Sequence, residues 1–421
     1  MSAIWHPFTQ HKLHPQQIEI ARTQGAYLYA KDGRRIIDAI SSWWVNVHGH
    51  NHPKIAAAIQ TQAQTLDQVI FAGFTHEPAE RLAQKLVALT GPRLTRVFFS
   101  DSGSTAVEAA LKMALGFHRH GGRPRSGIAA LEHAYHGDTF GGMSVGARGV
   151  FNAAYEDLLF DVHRLPFPAA GREQATLDAF EALARSGAIA ALLLEPLVLG
   201  AGGMLMYGPD VLRGLHEICG RYGVLFIADE VMTGWGRTGT RFACDQAGIV
   251  PDIMCLSKGL TSGSLPLAVT MASEAVYQAF YSEDRARAFF HSSSFTGNPL
   301  ACAAACAALD IWDEEPVTQR IAHLHAMQAR MLRVFAARPD VENPRHTGTI
   351  MAFDVRADDP GYLSAIGPKL HRFCLDAGVL IRPLGQTVYL LPPYCLSQED
   401  MDVITDTLTR ALDALRLRRP E

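Results

Sequence analysis

The chain has 421 residues, more than the roughly 250 to 300 that a single hydrophobic core usually serves, so two domains are expected. Hydrophobic residues make up 48% of the chain and charged residues 19%, which is enough apolar material for large cores. The net charge of −4 argues against a surface for nucleic acid or an anionic membrane, so the expected partner is a small molecule.

The sequence also bears on location. Residues 1–17 lack a basic start followed by an apolar run, which predicts no secretory signal. No stretch reaches the roughly 18 uninterrupted apolar residues of a membrane span. The seven cysteines include no CxxC pair, a usage typical of free thiols in a reducing compartment. We therefore expect a soluble, cytoplasmic protein.

The N-terminal part contains a predicted β-hairpin. Residues 25–40 alternate apolar and polar side chains around a turn at Asp32 and Gly33. Two adjacent tryptophans, Trp43 and Trp44, follow the hairpin. Large aromatic residues are usually buried in the core, but they also line pockets, and the sequence leaves both roles open.

A run of alternating histidines follows the tryptophans. His48, His50 and His52 lie in a loop marked by glycine and proline. Neither a carboxylate nor a cysteine completes a set of ligands at the usual helical spacing, so no metal site is expected here.

A polar turn between a strand and a helix comes next. Residues 97–99 predict a short buried strand, residues 100–104 (SDSGS) a tight turn, and Thr105 opens a helix in which Thr105 and Glu108 could form a capping box. Backbone N–H groups and hydroxyls at a helix N-terminus bind anions. The turn therefore predicts a phosphate site, and without a Walker lysine it does not predict a nucleotide site.

Beyond this helix the chain alternates strand-like apolar runs with segments of helical length. This alternation is typical of a parallel sheet covered on both faces, in which ligands bind at the carboxyl ends of the strands. Polar groups fall at those ends: residues 135–138, Glu195, Asp229 and Lys258, after runs at 128–131, 189–194, 224–228 and 253–256.

Residues 234–239 (GWGRTG) match a GxGxxG pattern, which favours an alternative function as an NAD-dependent oxidoreductase. A dinucleotide site needs the glycines to open a helix directly after a strand. Here five residues separate the strand from the first glycine, and the following apolar run ends in Lys258 instead of an acid. The pattern is therefore weak support for a dinucleotide.

Asp229 and Lys258, with the turn at Gly103 and Ser104 and the aromatic Tyr135, are the parts needed to hold pyridoxal phosphate. A carboxylate keeps the pyridine nitrogen protonated, a lysine amine bonds to the aldehyde as a Schiff base, and the turn holds the phosphate. Together they predict a site for this cofactor.

The chain resembles the class III pyridoxal-phosphate aminotransferases of fold type I along nearly its whole length. Within the class it is most similar to the branch that acts on 8-amino-7-oxononanoate in biotin biosynthesis. The matching motifs are residues 228–231, 234–239 and 257–259 for the class, and residues 5–7, 42–44, 47–50, 100–104, 135–139, 297–302, 382–383 and Tyr389 for the branch.

The resemblance implies an α/β fold with two parts. Residues 46–314 are expected to form a large domain with a mainly parallel, seven-stranded sheet covered by helices. Residues 1–45 and 315–421 are expected to form a smaller, discontinuous α+β domain. It is expected to end in a helix at residues 397–417, which Ser397 caps and which carries one apolar stripe.

The resemblance also implies roles for single residues. Lys258 resembles the Schiff-base lysine, Asp229 the pyridinium partner and Tyr135 the residue stacked on the ring, which gives the expected catalytic set. Gly103, Ser104, Ser293 and Ser294 are expected to bind the cofactor phosphate. Substrate contacts are expected from Tyr135 and Lys258 and from Phe8, Trp43, Trp44, Ser292, Arg382 and Tyr389. The resemblance implies a homodimer whose active sites are shared, with Ser292–Ser294 reaching over from the second subunit.

The expected amino donor is S-adenosyl-L-methionine, and the expected acceptor is 8-amino-7-oxononanoate. Two departures bear on this assignment: Phe8 stands where the family often has tyrosine, and Ser292–Ser294 where it commonly has Gly-Pro-Thr. Some relatives use lysine as donor, so lysine and another class III ω-aminotransferase activity remain alternatives.

Overall fold

The computed structural model describes residues 3–416. Within this range the strands are β1 (Ile20–Gln24), β2 (Tyr27–Ala30), β3 (Arg35–Asp38), β4 (Leu94–Ser100), β5 (Gly127–Leu131), β6 (His163–Leu165), β7 (Ile189–Leu194), β8 (Val198–Leu199), β9 (Leu205–Met206), β10 (Leu225–Asp229), β11 (Ile253–Leu256), β12 (Ala268–Ser273), β13 (Val341–Thr347), β14 (Ile350–Val355), β15 (Val379–Leu380) and β16 (Thr387–Leu390).

The helices in the same range begin with a one-turn helix, α1, that is left-handed. They are α1 (Ser41–Trp44), α2 (Pro53–Ala63), α3 (Glu77–Thr90), α4 (Gly103–His120), α5 (Phe140–Val145), α6 (Glu173–Arg185), α7 (Pro209–Tyr222), α8 (Cys244–Ala247), α9 (Glu274–Gln278), α10 (Pro299–Glu314), α11 (Val317–Ala336), α12 (Ile366–Asp376) and α13 (Gln398–Arg416). Position 417, the predicted end of the last helix, lies outside the described residues.

The large sheet has seven strands in the order β4–β12–β11–β10–β7–β5–β6. All neighbours pair in parallel except β12, which is antiparallel to β11 and β4. Strands β7, β10 and β11 are buried along their whole length, as uninterrupted apolar runs in a sheet covered on both faces require. The predicted mainly parallel, seven-stranded α/β sheet is confirmed.

Helix α4 begins at Gly103, two residues earlier than predicted. Ser102 is its N-cap, because the Ser102 hydroxyl accepts from the Thr105 N–H while the Thr105 hydroxyl accepts from the Ser102 N–H. The predicted capping box between Thr105 and Glu108 is therefore wrong. The Glu108 carboxylate accepts instead from the N–H of Gly141, at 2.8 Å.

Smaller sheets join the two ends of the chain. Strand β15 pairs in parallel with β3 of the N-terminal hairpin, and β13, β14 and β16 form an antiparallel sheet against α11. Ser397 caps α13, as predicted, by accepting from the Asp400 N–H, and Asp400 accepts a hydrogen bond from Tyr27 of the hairpin. The domain limits 1–45, 46–314 and 315–421 stay a prediction.

The GxGxxG segment forms turns and opens no helix; the next helix, α8, begins at Cys244. A Cβ atom at Gly236 would lie 2.5 Å from Ile321 and 2.8 Å from Trp312, so this glycine serves close packing. The segment therefore lacks the geometry of a dinucleotide site. No helix within residues 3–416 is both long and apolar enough to cross a membrane.

Candidate active site

Chemically active side chains meet at one edge of the large sheet. Asp229 ends β10, Glu195 follows β7, Lys258 follows β11 and His136 follows β5. These strands are parallel neighbours, so their carboxyl ends lie side by side. The N-terminus of α4 follows β4, which runs in the same direction on the far side of β12. The fold thus makes one pocket edge from residues far apart in sequence.

Asp229 is the carboxylate at the centre of this edge, and it is held on both oxygens. Oδ2 lies 2.8 Å from Nδ1 of His136, and Oδ1 accepts from the Val231 N–H at 3.1 Å. Both Asp229 and His136 are buried. The other imidazole nitrogen of His136, Nε2, is buried and has no hydrogen-bond partner among residues 3–416.

Lys258 begins a 3₁₀ turn directly after β11 and has a left-handed backbone (φ 46°). Burial lowers the pKa of its amine; the carboxylates of Asp229 and Glu195 oppose this and the Arg237 guanidinium adds to it. Its Nζ atom lies 5.1 Å from the centre of the Trp44 ring. A lysine with a lowered pKa at a buried strand end is placed to act as a nucleophile and a base.

Glu195 is a buried acid. Its position at a strand end was predicted from the sequence, but no role was assigned to it. Its carboxylate accepts from the N–H groups of Tyr135 at 3.0 Å and Gly200 at 2.9 Å. Burial raises its pKa to about 7. Glu195 therefore positions the Tyr135 loop and places a titratable charge near Lys258.

The turn at Gly103 and Ser104 is tightly packed against its neighbours. A Cβ atom at Gly103 would lie 2.6 Å from Val231, and one at Gly137 would lie 2.0 Å from Oγ of Ser104. Only glycine lets these backbones approach so closely. The N-terminus of the 18-residue helix α4 thus lies against both the Asp229 strand and the Tyr135 loop.

The tryptophan pair lies on the left-handed turn α1. Residues 41–44 have φ values of 52°, 44°, 76° and 73°, although none is glycine. Such a conformation costs about 1–2 kcal/mol per residue. Trp44 is buried and its indole N–H donates to the Tyr389 hydroxyl at 2.9 Å, whereas Trp43 is 36% exposed. Trp44 is thus buried beside the Lys258 amine, and Trp43 is the more exposed of the two rings.

Arg382 lies against the exposed face of this turn. Its guanidinium carbon is 4.6 Å from the centre of the Trp43 ring, and one of its N–H groups donates to the Phe8 carbonyl at 3.4 Å. The Phe8 and Trp43 rings meet edge to face at 5.4 Å. Phe8, Trp43 and Arg382 therefore form one wall with a cationic end.

Two further aromatics, Phe151 and Tyr362, join this wall, and neither was predicted from the sequence. The Phe151 ring lies 6.0 Å from Phe8, 6.0 Å from Tyr135 and 4.4 Å from Tyr362. Tyr362 lines, with Phe8 and Arg382, a cleft of about 2410 Å³. An arrangement of loop residues from three parts of the chain has no sequence period that could reveal it.

The serine segment makes contacts of a different kind. The Ser294 carbonyl accepts from Gln68, and Ser293 is paired with Thr296 through backbone and hydroxyl groups. The side-chain hydroxyl of Ser293 is buried without a partner among the described residues. No contact recorded within residues 3–416 joins Ser292–Ser294 to Lys258 or Ser104, so their expected roles in substrate and phosphate binding stay a prediction.

A strand-end carboxylate, a strand-end lysine and a helix N-terminus at one sheet edge define a site of the pyridoxal-phosphate type. The chain belongs to the aminotransferase class III family, whose sequence model matches residues 8–412. Proteins of this family depend on pyridoxal phosphate.

The comparisons extend over the whole chain. It is 49% identical to an adenosylmethionine-8-amino-7-oxononanoate aminotransferase from Synechococcus elongatus over 421 residues, 98% of this chain and 99% of that protein. The structure of such an enzyme from Methanocaldococcus jannaschii has a TM-score of 0.93 at 33% identity, covering 98% of this chain and 97% of that one. An amine transaminase from an uncultivated Pseudomonas species, in its PLP-bound form, has a TM-score of 0.92 at 32% identity, covering 98% and 99%.

The residues of this chain fit the cofactor. Asp229 is a carboxylate fixed by two donors, and the buried Nε2 of His136 is unpaired within residues 3–416. Gly103 and Gly137 let the N-terminus of α4 pack closely against Val231 and the Tyr135 loop. Within the same range no group of three or more His, Cys, Asp or Glu side chains could hold a metal ion. The chemistry of this donor set suits a phosphorylated pyridine.

Proposed function

We propose that this protein transfers the amino group of S-adenosyl-L-methionine to 8-amino-7-oxononanoate, giving 7,8-diaminononanoate in biotin biosynthesis. The observation that carries the proposal is the wall in which Arg382 stacks at 4.6 Å on Trp43, beside Phe8. An arginine fork binds a carboxylate through two hydrogen bonds, and the indole offers apolar surface for a long chain. The full-length similarity to enzymes named for this reaction supports it.

Lys258, Asp229, Gly103 and Ser104 would hold the cofactor. Pyridoxal phosphate, when bound, supplies an aldehyde that carries the amino group and a ring that withdraws electrons from the reacting carbon. The Asp229 carboxylate, fixed by His136 and Val231, places a negative charge where a protonated ring nitrogen needs one. The N–H groups at the start of α4 and the Ser104 hydroxyl bind the phosphate.

Lys258 moves the proton of the reaction. Its amine has a lowered pKa because it is buried, so a larger fraction is neutral at pH 7 than for an exposed lysine. The neutral Nζ would take the proton from the substrate carbon that bears the amine and deliver it to the aldehyde carbon of the cofactor, and in the second half of the cycle it would move a proton in the opposite direction. Tyr135, half-buried and fixed by its hydroxyl to Asp138 at 3.0 Å, covers the reacting groups and excludes water.

One pocket must accept two unlike substrates in turn. Trp43 and Trp44 present rigid rings that pack against either an adenosyl group or an alkyl chain. Tyr389, fixed by the Trp44 indole, supports this surface from below. Arg382 binds the carboxylate of the acceptor. The Phe8 carbonyl, its hydrogen-bond partner in this structure, is the group that a substrate carboxylate replaces.

We further propose that the protein is a homodimer with shared sites. Ser292 would contact substrate, and Ser293 and Ser294 would contact the cofactor phosphate of the other subunit; serine keeps the hydroxyl that the family's threonine supplies. The same segment exposes two aromatic rings, Phe290 (73%) and Phe295 (62%), as an interface would require. Free cysteines throughout the described residues support a cytoplasmic location.

Complementation between two inactive chains tests the shared site. Lys258→Ala and Ser294→Glu chains are each expected to be inactive alone, and co-expression is expected to restore activity because one of the two mixed sites is intact. Co-expressed chains without activity would contradict shared sites.

Two experiments test the reaction itself. Borohydride reduction followed by peptide mapping is expected to place the cofactor on Lys258, and the Lys258→Ala variant is expected to be colourless. A label on another residue would overturn the assignment.

The amino donor is decided by offering S-adenosyl-L-methionine and lysine separately with 8-amino-7-oxononanoate. Product from lysine alone would show that lysine is the amino donor. Product from neither compound would favour a different class III ω-aminotransferase activity.

A further inference from the structure

The left-handed turn Ser41–Trp44 is strained, and a strained turn persists only where its surroundings fix it. Its four side chains are not of the type that favours this conformation, which glycine adopts freely. The turn nevertheless carries Trp43 and Trp44, which face Arg382 and Lys258 respectively. Whatever fixes the turn therefore fixes the substrate wall.

The carboxylate of Asp38 is fully buried and lies at the start of this turn. Oδ1 accepts from the Ile40 N–H at 3.1 Å, and Oδ2 accepts from the Ser42 hydroxyl at 3.0 Å. Oδ2 also lies 2.7 Å from Nε2 of His50. One carboxylate thus holds the residue before the turn and a residue within it.

His50 connects this carboxylate to the turn between β1 and β2. Its N–H donates to the Gly25 carbonyl at 2.7 Å, and its carbonyl accepts from the Gly25 N–H at 3.0 Å. Within residues 3–416, Nε2 of His50 is the basic side-chain nitrogen that lies within 4 Å of this carboxylate. A buried carboxylate is costly, and a packing role alone could be met by an apolar side chain. The observed geometry instead uses both carboxylate oxygens, with Oδ1 on the residue before the turn and Oδ2 on a residue within it.

We propose that Asp38, supported by His50, is a positioning residue for substrate binding. It holds Ser42 and, through Ser42, the left-handed turn that presents Trp43 and Trp44 to both substrates. The inference rests on the proposed function only for the identity of those substrates. Asp38 has no recorded contact with Lys258 or Asp229, so its effect is on substrate binding and not on the proton transfer.

The variant Asp38→Asn tests the proposal in the holoenzyme. An amide keeps the shape but has one acceptor oxygen, so the turn relaxes. We expect the KM values of both substrates to rise about 10- to 100-fold, kcat to change much less, and pyridoxal phosphate to bind as in the wild type. Asp32→Asn, an exposed aspartate paired with Arg34 on the same hairpin, is the matched control with unchanged KM values.

Glycine at position 42 distinguishes positioning from general stability. Asp38→Asn combined with Ser42→Gly is expected to recover most of the KM, because glycine takes the left-handed conformation without strain. If Asp38→Asn does not fold, His50→Ala and His50→Gln replace it: the first is expected to raise both KM values, and the second, which can still donate to Asp38, to raise them less.

Several results would overturn the proposal. KM values that do not change in either Asp38→Asn or His50→Ala would do so, as would a rise that Ser42→Gly leaves in place. A crystal structure of Asp38→Asn tests the proposal without substrate. If residues 41–44 keep their left-handed backbone in this variant, Asp38 does not position the turn. If the proposed function is wrong, the wild-type protein will show no turnover on these substrates. The crystal structure of Asp38→Asn still decides whether Asp38 positions the turn.

Discussion

His136 and Asp229 are 93 residues apart in sequence, yet a 2.8 Å hydrogen bond joins Nδ1 of the imidazole to Oδ2 of the carboxylate. The contact brings the loop after β5 onto the end of β10, two strands away in the sheet. Because both side chains are buried, no water replaces the bond when it is lost. The orientation of the proposed pyridinium partner therefore depends on a residue that has no direct part in the reaction.

The first prediction concerns this bond. His136→Leu is expected to lower kcat about 10- to 100-fold, because a hydrogen bond to a charged group is worth about 1.5–3 kcal/mol. His136→Asn can donate from its amide and is expected to retain most of the activity. Steady-state kinetics of both variants decide it. Equal activities of the leucine variant and the wild type would show that His136 does not position Asp229.

The second prediction concerns the phosphate turn. In Gly137→Ala the new Cβ atom would lie 2.0 Å from Oγ of Ser104, at a backbone φ of 107° that disfavours alanine. Ser104 must move, so the Kd for pyridoxal phosphate is expected to rise at least about tenfold through loss of one charge-assisted hydrogen bond. Absorbance titration of the apoenzyme measures it.

Gly149→Ala is the matched control for this variant. Its Cβ atom would have no atom within 4 Å, and its φ is not left-handed. We expect the cofactor affinity of Gly149→Ala to equal that of the wild type. An unchanged affinity in Gly137→Ala as well would mean that the turn does not hold the phosphate.

The sequence was sufficient to predict the large sheet and the polar groups at its strand ends. An apolar run predicts a buried strand, and the charged residue that ends it predicts a functional group at the edge of the sheet. β7 and β11 have the predicted bounds, and β10 is shifted by one residue so that it includes Asp229. The start of α4 was misplaced because several hydroxyl residues in a row could each serve as the cap.

Other features had no local signal. Strand β1 is mostly exposed and β13 is polar and contains Pro344, so neither shows an apolar alternation. The left-handed turn at Ser41–Trp44 lacks the glycines by which such a backbone is recognised, and part of what holds it, the hydrogen bonds of Ser41 to Leu391 and of Trp44 to Tyr389, comes from residues distant in sequence. The same holds for the contact of His136 with Asp229, which only the completed sheet creates.

The third prediction is the effect of Glu195 on Lys258. Burial lowers the pKa of the amine and the Glu195 carboxylate raises it, so Glu195→Gln should lower it further. Only the neutral amine reacts with pyridoxal phosphate, and the rate of reconstitution of the apoenzyme therefore rises with pH through this pKa. In Glu195→Gln the midpoint is expected at a lower pH.

The comparison is made above pH 7, where Glu195, with a pKa of about 7, is ionised. The titration of the free cofactor is common to both proteins and cancels. Glu132→Gln, at an exposed position on the same loop, is the control and should keep the wild-type midpoint. A shift to higher pH in Glu195→Gln would refute the electrostatic coupling.

The last prediction concerns stability and pH at Glu230. This side chain is fully buried and accepts from the Thr233 hydroxyl and the Cys244 N–H, and it has no ion-pair partner among residues 3–416. Burial raises its pKa to about 7 from an ordinary value of 4.5. The folded state thus binds the proton of Glu230 more tightly than the unfolded state. The stabilisation of the folded state by this proton is complete below pH 4.5 and is lost as the pH rises through 7.

Glu230→Gln keeps the shape and removes the titration. Its Tm relative to the wild type is therefore expected to rise between pH 5 and pH 8, by an amount that corresponds to about 1–3 kcal/mol. Glu274→Gln is the control with the opposite shift: Arg96 holds the pKa of Glu274 at about 2, so this carboxylate is ionised in the folded state throughout that window. The Tm difference of Glu274→Gln should stay nearly flat from pH 5 to pH 8. If the Glu230→Gln difference is equally flat, then Glu230 is not protonated in the fold and the hydrogen bonds that it accepts compensate for its burial.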